Sequence, residues 1–187
     1  MPNLTWLITG ISGGFGRLMT EQLLERGDQV AGTARKLEAV DDLKSRYQVQ
    51  LWLGSLDLTD LPAIHRVVDA AFAAFSGRID VTVNNAGYGL IGVGQHGLWP
   101  GAPGVREHPS RSRTQEDRRR ILCTPGDPAK MVRAIISSVD EENAPKRLVL
   151  GSDAYTMIHE ALTERLARLE AQKDLAVSTD FSPSSVE

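Results

Sequence analysis

Cysteine is nearly absent from this chain, since Cys123 is the only one among 187 residues. A single thiol cannot form an internal disulfide, which is typical of proteins in a reducing cytosol, so we expect a cytoplasmic protein. Long hydrophobic runs are also missing, so we expect neither a membrane-spanning helix nor a membrane partner. The first residues contain no basic segment followed by a separate apolar one, so no signal peptide is predicted.

An excess of charge of either sign is missing too. The 21 Lys and Arg nearly balance the 24 Asp and Glu, and the formal net charge is −3. This balance gives no electrostatic reason to expect a nucleic-acid partner. Six arginines do crowd residues 106–120, but acids are interspersed and no aromatic side chain is there to stack on a base. We interpret this run as a solvated loop, with an interaction surface as the alternative.

Paired metal ligands are absent as well. His96, His108 and Cys123 are widely and irregularly spaced, without a Cys-x-x-Cys or His-x-x-x-His pair. We therefore predict no metal site.

Short apolar runs do alternate with amphipathic segments in the first half of the chain. Strands are predicted over Leu4–Ile8, Gln29–Ala34, Val49–Leu53 and Ile79–Asn84. Helices are predicted over Gly14–Arg26, over Leu37–Tyr47, and over a stripe from Ile64 to Phe75 capped by Thr59. This alternation indicates βαβ units, and thus an α/β, Rossmann-like, doubly wound parallel sheet.

The pattern changes after residue 92. Residues 93–123 are rich in Gly, Pro and Arg, which predicts an irregular segment. Residues 124–181 then predict a helix capped by Asp127, a strand over Arg147–Leu150, and a long helix capped by Ser152 or Asp153. We expect this part to belong to the same domain as the dinucleotide-binding βα units of residues 1–92, with residues 182–187 as a tail. The sheet is expected to be truncated, with strand order 3-2-1-4 and the fifth strand adjacent or loose.

A glycine-rich turn follows the first predicted strand. Gly10, Gly14 and Gly16 have the spacing Thr-Gly-x-x-x-Gly-x-Gly. Glycines at a strand-to-helix turn let the backbone approach a pyrophosphate, and the helix N-terminus offers N–H groups and a positive dipole end. The alternative is a tight turn that merely requires glycine.

Further candidates for cofactor binding end the other predicted strands. Arg35 stands where an acidic residue would hold an unmodified ribose, and together with Lys36 it favours the 2′-phosphate of NADP(H) over NAD(H). The alternative is that both cations belong to a solvated loop. The predicted cofactor-binding residues are Gly10, Ser12, Gly14, Phe15, Gly16, Arg35, Asp57, Leu58, Asn84, Ala86 and Gly87.

Together these motifs resemble a known family. Residues 1–92, with the glycine turn, Asp57 and Asn84–Gly87 in order, resemble the N-terminal half of short-chain dehydrogenases/reductases. Residues 124–181 resemble the C-terminal end of some bacterial members, through Pro125–Lys130, Arg147–Gly151 and Ser178–Phe181. The resemblance implies a dinucleotide cofactor, a small carbonyl or alcohol substrate and an oxidoreductase activity. Family members are usually oligomers, and the resemblance leaves a homo-oligomer open for this chain.

The catalytic groups that the resemblance implies are missing. In this family a serine polarises the substrate carbonyl, a tyrosine acts as general acid, and a lysine four residues later lowers its pKa. Here the fourth residue after Tyr47, Tyr88 and Tyr155 is Leu51, Gly92 and His159, respectively. Tyr155 with His159 and the pair Ser137–Ser138 are the available substitutes, but helix packing explains these residues better. No catalytic residue is assigned, and we expect impaired activity, an inactive NAD(P)-binding pseudoenzyme, or the product of an internally deleted gene.

Overall fold

The computed structural model describes residues 3–87 and 126–181. The chain divides into two compact units, and each is described by itself. Among the described residues, the first unit contains 3–87 and 127–145, and the second contains 126 and 146–181.

The first unit is built on a parallel sheet. Its strands are β1 (Thr5–Thr9), β2 (Gln29–Ala34), β3 (Leu51–Ser55) and β4 (Val81–Val83). Its helices are α1 (Gly14–Arg26), α2 (Asp41–Arg46), α3 (Leu61–Ala74) and α4 (Pro128–Val139), with a 3-10 turn over Leu37–Val40 before α2. All pairings are parallel and the order is β3-β2-β1-β4. The predicted α/β Rossmann-like fold and its strand order are therefore confirmed.

The main core lies on one face of this sheet. Trp6 pairs with Val30 and Val30 with Leu51, so alternate side chains of three strands point to the same side. Helices α1, α2 and α4 cover that side. The buried residues of this core are Trp6, Ile8, Ile11, Met19, Leu23, Leu24, Val30, Val40, Leu43, Leu51, Val132 and Ile136.

An ion-pair network closes one end of this core. The Arg26 guanidinium donates to the buried Asp28 carboxylate at 2.7 Å and to Asp140 at 2.8 Å. Asp28 also accepts the backbone N–H of Leu4 at 2.9 Å. Because Asp140 directly follows α4, the network joins that helix to α1 and to the start of the sheet.

The opposite face of the sheet carries a smaller cluster. Leu7 and Ala31 pack with Ala71 of α3, and the half-buried side chains of Trp52, Val68, Phe75 and Ile79 surround them. Since α3 connects β3 to β4 across this face, the sheet is covered on both sides, as a parallel sheet requires.

Helix ends mostly follow their sequence signals. Gly27 ends α1 in the left-handed region (φ 99°), and its N–H bonds back to the last turn. Asp127 caps α4 by accepting the N–H of Ala129 at 2.9 Å. For α3 the predicted Thr59 cap is wrong: Asp60 accepts the N–H of Ala63 at 3.0 Å, because Asp57 holds the Thr59 hydroxyl at 2.8 Å.

Several predicted bounds need correction. The first strand is Thr5–Thr9 rather than Leu4–Ile8, and the fourth is Val81–Val83 rather than Ile79–Asn84. The helix expected over Leu37–Tyr47 splits into the 3-10 turn and the six-residue α2. The third strand begins at Leu51 rather than Val49, because Gln50 and Leu51 donate their N–H groups to the Tyr47 carbonyl in a turn. Val49 is consequently 88% exposed.

The second unit contains the helices α5 (Ser152–Glu170) and α6 (Lys173–Ser178). The strand predicted over Arg147–Leu150 is wrong, because these residues pair with no strand in the described part of the chain, and a strand exists only by such pairing. The predicted caps of α5 are also wrong, since Gly151 takes the N-cap position at φ 99°. No residue of α5 is buried, including the apolar Ile158, Leu162 and Leu166.

Two predicted segments cannot be compared with the structure. The irregular segment of residues 93–123 and the tail of residues 182–187 are outside the described residues. In the parts that are described, no helix is long and apolar enough to cross a membrane.

Candidate functional site

The turn between β1 and α1 is fixed against its neighbours by backbone contacts. Gly10 adopts a left-handed conformation (φ 76°), and the N–H groups of Gly10 and Ile11 both donate to the Thr33 carbonyl, at 2.8 and 3.0 Å. A Cβ on Gly10 would lie 2.8 Å from the Cα of Ala86. Both the backbone conformation and the lack of space therefore require glycine here. Because glycine has no side chain, the ends of β1 and β4 can approach each other closely.

The N-terminus of α1 is left without a side-chain cap. Gly13 occupies the N-cap position in an extended conformation, and Gly14 follows with φ 58°. No heavy atom beyond the chain neighbours comes within 4 Å of a Cβ built on either glycine. The N–H groups of the first helical turn therefore have no side-chain cap, and an uncapped helix N-terminus with its positive dipole end favours an anion.

Thr9 and Asn85 connect this turn to the end of β4. The Thr9 hydroxyl accepts the N–H groups of Asn85 and Ala86 at 3.1 and 3.0 Å, and the Asn85 amide donates to the carbonyls of Thr9 and Gly10 at 2.9 and 3.1 Å. The Asn85 side chain thus supplies a hydrogen-bond donor to two carbonyls at the end of β1.

Arg35 and Asp57 follow the ends of β2 and β3, at the same edge of the sheet as the glycine turn. The Arg35 carbonyl accepts the Ser55 hydroxyl at 3.3 Å, while the Arg35 side chain is exposed. The hydrogen bond from the backbone N–H of Thr59 is the main cause that lowers the pKa of Asp57. The Thr59 hydroxyl and the charge of Arg35 lower this pKa further. A cation and a carboxylate that stays ionised therefore share this end of the site.

These elements enclose a cleft of about 650 Å³ at the carboxyl edge of the sheet. Its lining residues are Gly10, Ser12, Gly13, Gly14, Phe15, Thr33, Ala34, Arg35, Leu56, Asp57, Leu58, Asn85, Ala86 and Gly87. The volume lies within the range of small-molecule sites, and the location is where open α/β sheets bind ligands.

Most of the residues singled out from the sequence meet in this cleft, but two do not. Gly16 and Asn84 are not among the lining residues. A Cβ on Gly16 would instead collide with the Asn85 amide and the Gly10 carbonyl, so Gly16 lets α1 pack closely against the turn. Asn84 is exposed, and its neighbour Asn85 takes the inward position.

The cleft also contains residues that the sequence reasoning did not select. Those missed are Gly13, Thr33, Ala34, Leu56 and Asn85. A signal was available for Thr33 and Ala34, which directly precede Arg35 at the end of β2. Leu56 enters the cleft because β3 continues to Ser55, later than the sequence pattern predicted.

The substitute catalytic residues are placed in helices. In the first unit, the Ser138 hydroxyl donates to the Ile135 carbonyl at 2.8 Å, as a helical serine commonly does. In the second unit, the rings of Tyr155 and His159 stack with centroids 5.9 Å apart along α5. Tyr88, His96, His108 and Cys123 lie outside the described residues. Within 3–87 and 126–181, no group of three or more His, Cys, Asp or Glu could hold a metal ion.

Comparison with known proteins gives consistent matches to the first half of the chain. Residues 5–97 match the family model described as short chain dehydrogenase. Oxidoreductase BOA17 of Botryotinia fuckeliana is 40% identical over 84 residues, which is 44% of this chain and 30% of that protein. The NADP-dependent 3-hydroxy acid dehydrogenase YdfG of Escherichia coli is 34% identical over 84 residues, or 45% of this chain and 34% of that one.

A solved structure matches over a longer range. A short-chain dehydrogenase from Streptomyces avermitilis superposes with a TM-score of 0.75 and 26% identity, covering 96% of this chain and 100% of the other. By contrast, this chain spans about a third of the length of the two curated relatives named above.

Proposed function

Because this chain belongs, through residues 5–97, to the short-chain dehydrogenase/reductase family, we propose that its cleft binds NADP(H) and that it is an oxidoreductase of carbonyl or alcohol substrates with impaired catalysis. The observation that carries the proposal is the cleft itself, where an uncapped helix N-terminus and the exposed Arg35 line one cavity. Two separate anionic groups of one ligand can therefore be bound there, and NADP(H) has a pyrophosphate and a 2′-phosphate.

Each part of the cleft has a matching role. The first-turn N–H groups of α1, near Gly14 and Phe15, would hold the pyrophosphate. Arg35 would bind the 2′-phosphate, and Leu58, which is 43% exposed, offers an apolar wall for the adenine ring. The nicotinamide end then falls near Ala86 and Gly87, beside the end of β4. The bound cofactor would supply or accept a hydride.

The choice of NADP(H) over NAD(H) rests on charge at the end of β2. An acidic residue there would accept the hydroxyls of an unmodified ribose and repel a phosphate. In this chain the position is held by Arg35, followed by Lys36. The Escherichia coli relative is named NADP-dependent, which supports the same choice.

Impaired catalysis is proposed from the sequence. No tyrosine of the chain has a lysine four residues later. Without that pair, a substrate carbonyl would lack a general acid of tuned pKa beside the cofactor. The alternative is a protein that binds the dinucleotide and performs no turnover.

Calorimetric titration of the full chain with NADPH and with NADH tests cofactor binding. We expect NADPH to bind more tightly than NADH, and Arg35→Ala to weaken NADPH binding about tenfold or more because a charged phosphate contact is lost. Arg133→Ala removes the same charge from the exposed face of α4 and should change neither affinity. Equal binding of both nucleotides would contradict the NADP preference, and binding of neither would contradict the proposed site.

The same preparation, incubated with NADPH and a panel of ketones and aldehydes, tests the catalytic part. We expect NADPH oxidation above the protein-free rate but far below about 1 per second, because the general acid of tuned pKa is missing. A rate equal to the protein-free rate would favour the alternative without turnover. Turnover at the usual rates of about 1 per second or more would show that another residue replaces the missing acid.

A further inference from the structure

Arg17 directly follows Gly16 in α1 and lies outside the cleft lining. Its backbone N–H donates to the Gly13 carbonyl at 3.3 Å, which ties it directly to the start of α1. Its guanidinium points toward the connection that follows β2. The side chain is 28% exposed, so water competes only in part for its contacts.

The guanidinium of Arg17 makes three contacts. It donates to Glu21 on the same helix at 3.0 Å, to the Ala39 carbonyl at 3.3 Å, and to the Asp42 carboxylate. Ala39 belongs to the 3-10 turn and Asp42 to the first turn of α2. The Arg17 guanidinium therefore joins α1 to both the 3-10 turn and α2, the two short elements that follow β2.

These elements follow Arg35 closely in the chain. Only Arg35 and Lys36 separate the end of β2 from the 3-10 turn. On the sheet side, the Arg35 carbonyl is held by the Ser55 hydroxyl at 3.3 Å. After Arg35, the Leu37–Val40 turn is held by the hydrogen bond that the Arg17 guanidinium donates to the Ala39 carbonyl.

The charges near Arg35 also bear on phosphate binding. Glu38, Asp41 and Asp42 follow Arg35 closely in the chain and would oppose a phosphate nearby. Arg17 pairs with Asp42, and its hydrogen bond lowers the pKa of that carboxyl. The pair therefore neutralises one of the three acids while it fixes the loop.

We propose that Arg17 is a positioning residue for cofactor selectivity: it holds the Leu37–Val40 turn and Asp42 so that Arg35 is presented to the 2′-phosphate. Arg17 does not touch the cofactor in this scheme. It acts through Arg35, so its loss reduces NADPH affinity and leaves NADH affinity unchanged. This inference rests on the proposed NADP(H) site.

The test compares Arg17→Met with Arg46→Met by calorimetry of both nucleotides. Arg46 lies on α2, the helix that Arg17 contacts through Asp42, is 65% exposed and is 3.8 Å from Glu25 of α1. Its loss therefore removes the same charge from the contact between the two helices without releasing the 3-10 turn. We expect Arg17→Met to weaken NADPH binding about two- to fivefold, the range of exposed ion pairs, with NADH binding unchanged. Arg46→Met should change neither.

A double variant identifies the route of the effect. If Arg17 acts through Arg35, then Arg17→Met added to Arg35→Ala produces no further loss of NADPH affinity. A role in stability alone would lower the melting temperature and leave the NADPH-to-NADH ratio at its wild-type value, which would overturn the proposal. Arg17→Lys, which keeps the charge and loses the fork, should give an intermediate ratio and serves if Arg17→Met does not fold.

The two proposals fail differently. A wild-type chain that binds no NADPH overturns the site and, with it, the role of Arg17. A wild-type chain that prefers NADPH, with the same preference in Arg17→Met, overturns the role of Arg17 alone.

Discussion

Gly16 illustrates how much one missing methyl group determines in this molecule. Its pattern position predicts contact with a cofactor, yet it packs against the Asn85 amide and the Gly10 carbonyl behind the cleft. Gly16 is thus needed for the close approach of α1 to the turn.

Replacing Gly16 tests this reading at the residue scale. In a helix, Gly→Ala ordinarily stabilises by up to about 1 kcal/mol. Here we expect Gly16→Ala to destabilise by about 1–3 kcal/mol, because a backbone carbonyl cannot give way as a flexible side chain would. Urea denaturation followed by circular dichroism measures the difference.

Gly13→Ala is the matched control for Gly16→Ala. Gly13 has φ −177° and nothing within 4 Å of a built Cβ, so its substitution should leave the unfolding free energy nearly unchanged. Equal losses in both variants would mean that the turn tolerates no side chain anywhere, and the close contact of Gly16 would then not be the cause.

At the scale of elements, helix caps show which local signals were sufficient. The sequence Asp127-Pro128 predicted the start of α4, and the structure has Asp127 bonded to the N–H groups of Ala129 and Lys130. The start of α5 was predicted less well, because Ser152 and Asp153 both have cap-forming side chains, yet Gly151 occupies the cap. A cap depends on backbone conformation as well as on residue type, and composition does not report that conformation.

Removing the Asp127 cap should loosen α4 and the core that it covers. We expect Asp127→Ala to cost about 1 kcal/mol of unfolding free energy, since two first-turn N–H groups lose their acceptor. Val132 and Ile136 of α4 are buried in the main core, so the loss should appear in the cooperative unfolding of the first unit. Ser152→Ala, which removes a hydroxyl without a capping bond, should change this transition by no more than about 0.5 kcal/mol.

At the scale of the whole molecule, three aspartates link stability to pH. The pKa of Asp80 is lowered mainly by the hydrogen bond from the Thr5 N–H, and Arg78 lowers it further. The pKa of Asp42 is lowered mainly by Arg17, and that of Asp57 mainly by Thr59. Asp80 accepts the Thr5 N–H at 2.8 Å and so ties the segment before β4 to the start of β1.

These shifts predict a loss of stability in acid. A carboxyl whose pKa is lower in the folded chain than its ordinary 3.8 stabilises the fold above that value, and the contribution disappears as pH falls through the folded pKa. Urea denaturation should therefore give a smaller unfolding free energy at about pH 3 than at pH 7. Asp80→Asn should reduce this pH dependence, whereas Asp69→Asn, at an exposed position of α3 without an ion pair among the described residues, should leave it as in the wild type. An unchanged profile in Asp80→Asn would contradict the role of the Thr5 contact.

Part of the fold was predictable because its signals are local. Buried strands in this chain are short apolar runs, α1 is framed by Gly14 and Gly27, and the alternation of strands with helices admits few topologies. The confirmed strand order is one of the few that these signals admit. The candidate site was predictable to the same extent, because the carboxyl ends of parallel strands meet at one edge.

Other features were decided only by tertiary contacts. Asn85 rather than Asn84 turns toward the glycine turn, because β4 ends at Val83 and the Thr9 hydroxyl is placed to receive the next N–H groups. Arg147–Leu150 is no strand, since strand formation needs a neighbour with free backbone groups and an apolar run does not reveal whether one exists. Periodicity in the sequence therefore determined which faces are apolar, whereas pairing and packing between distant segments determined which of them are buried and which side chains reach the cleft.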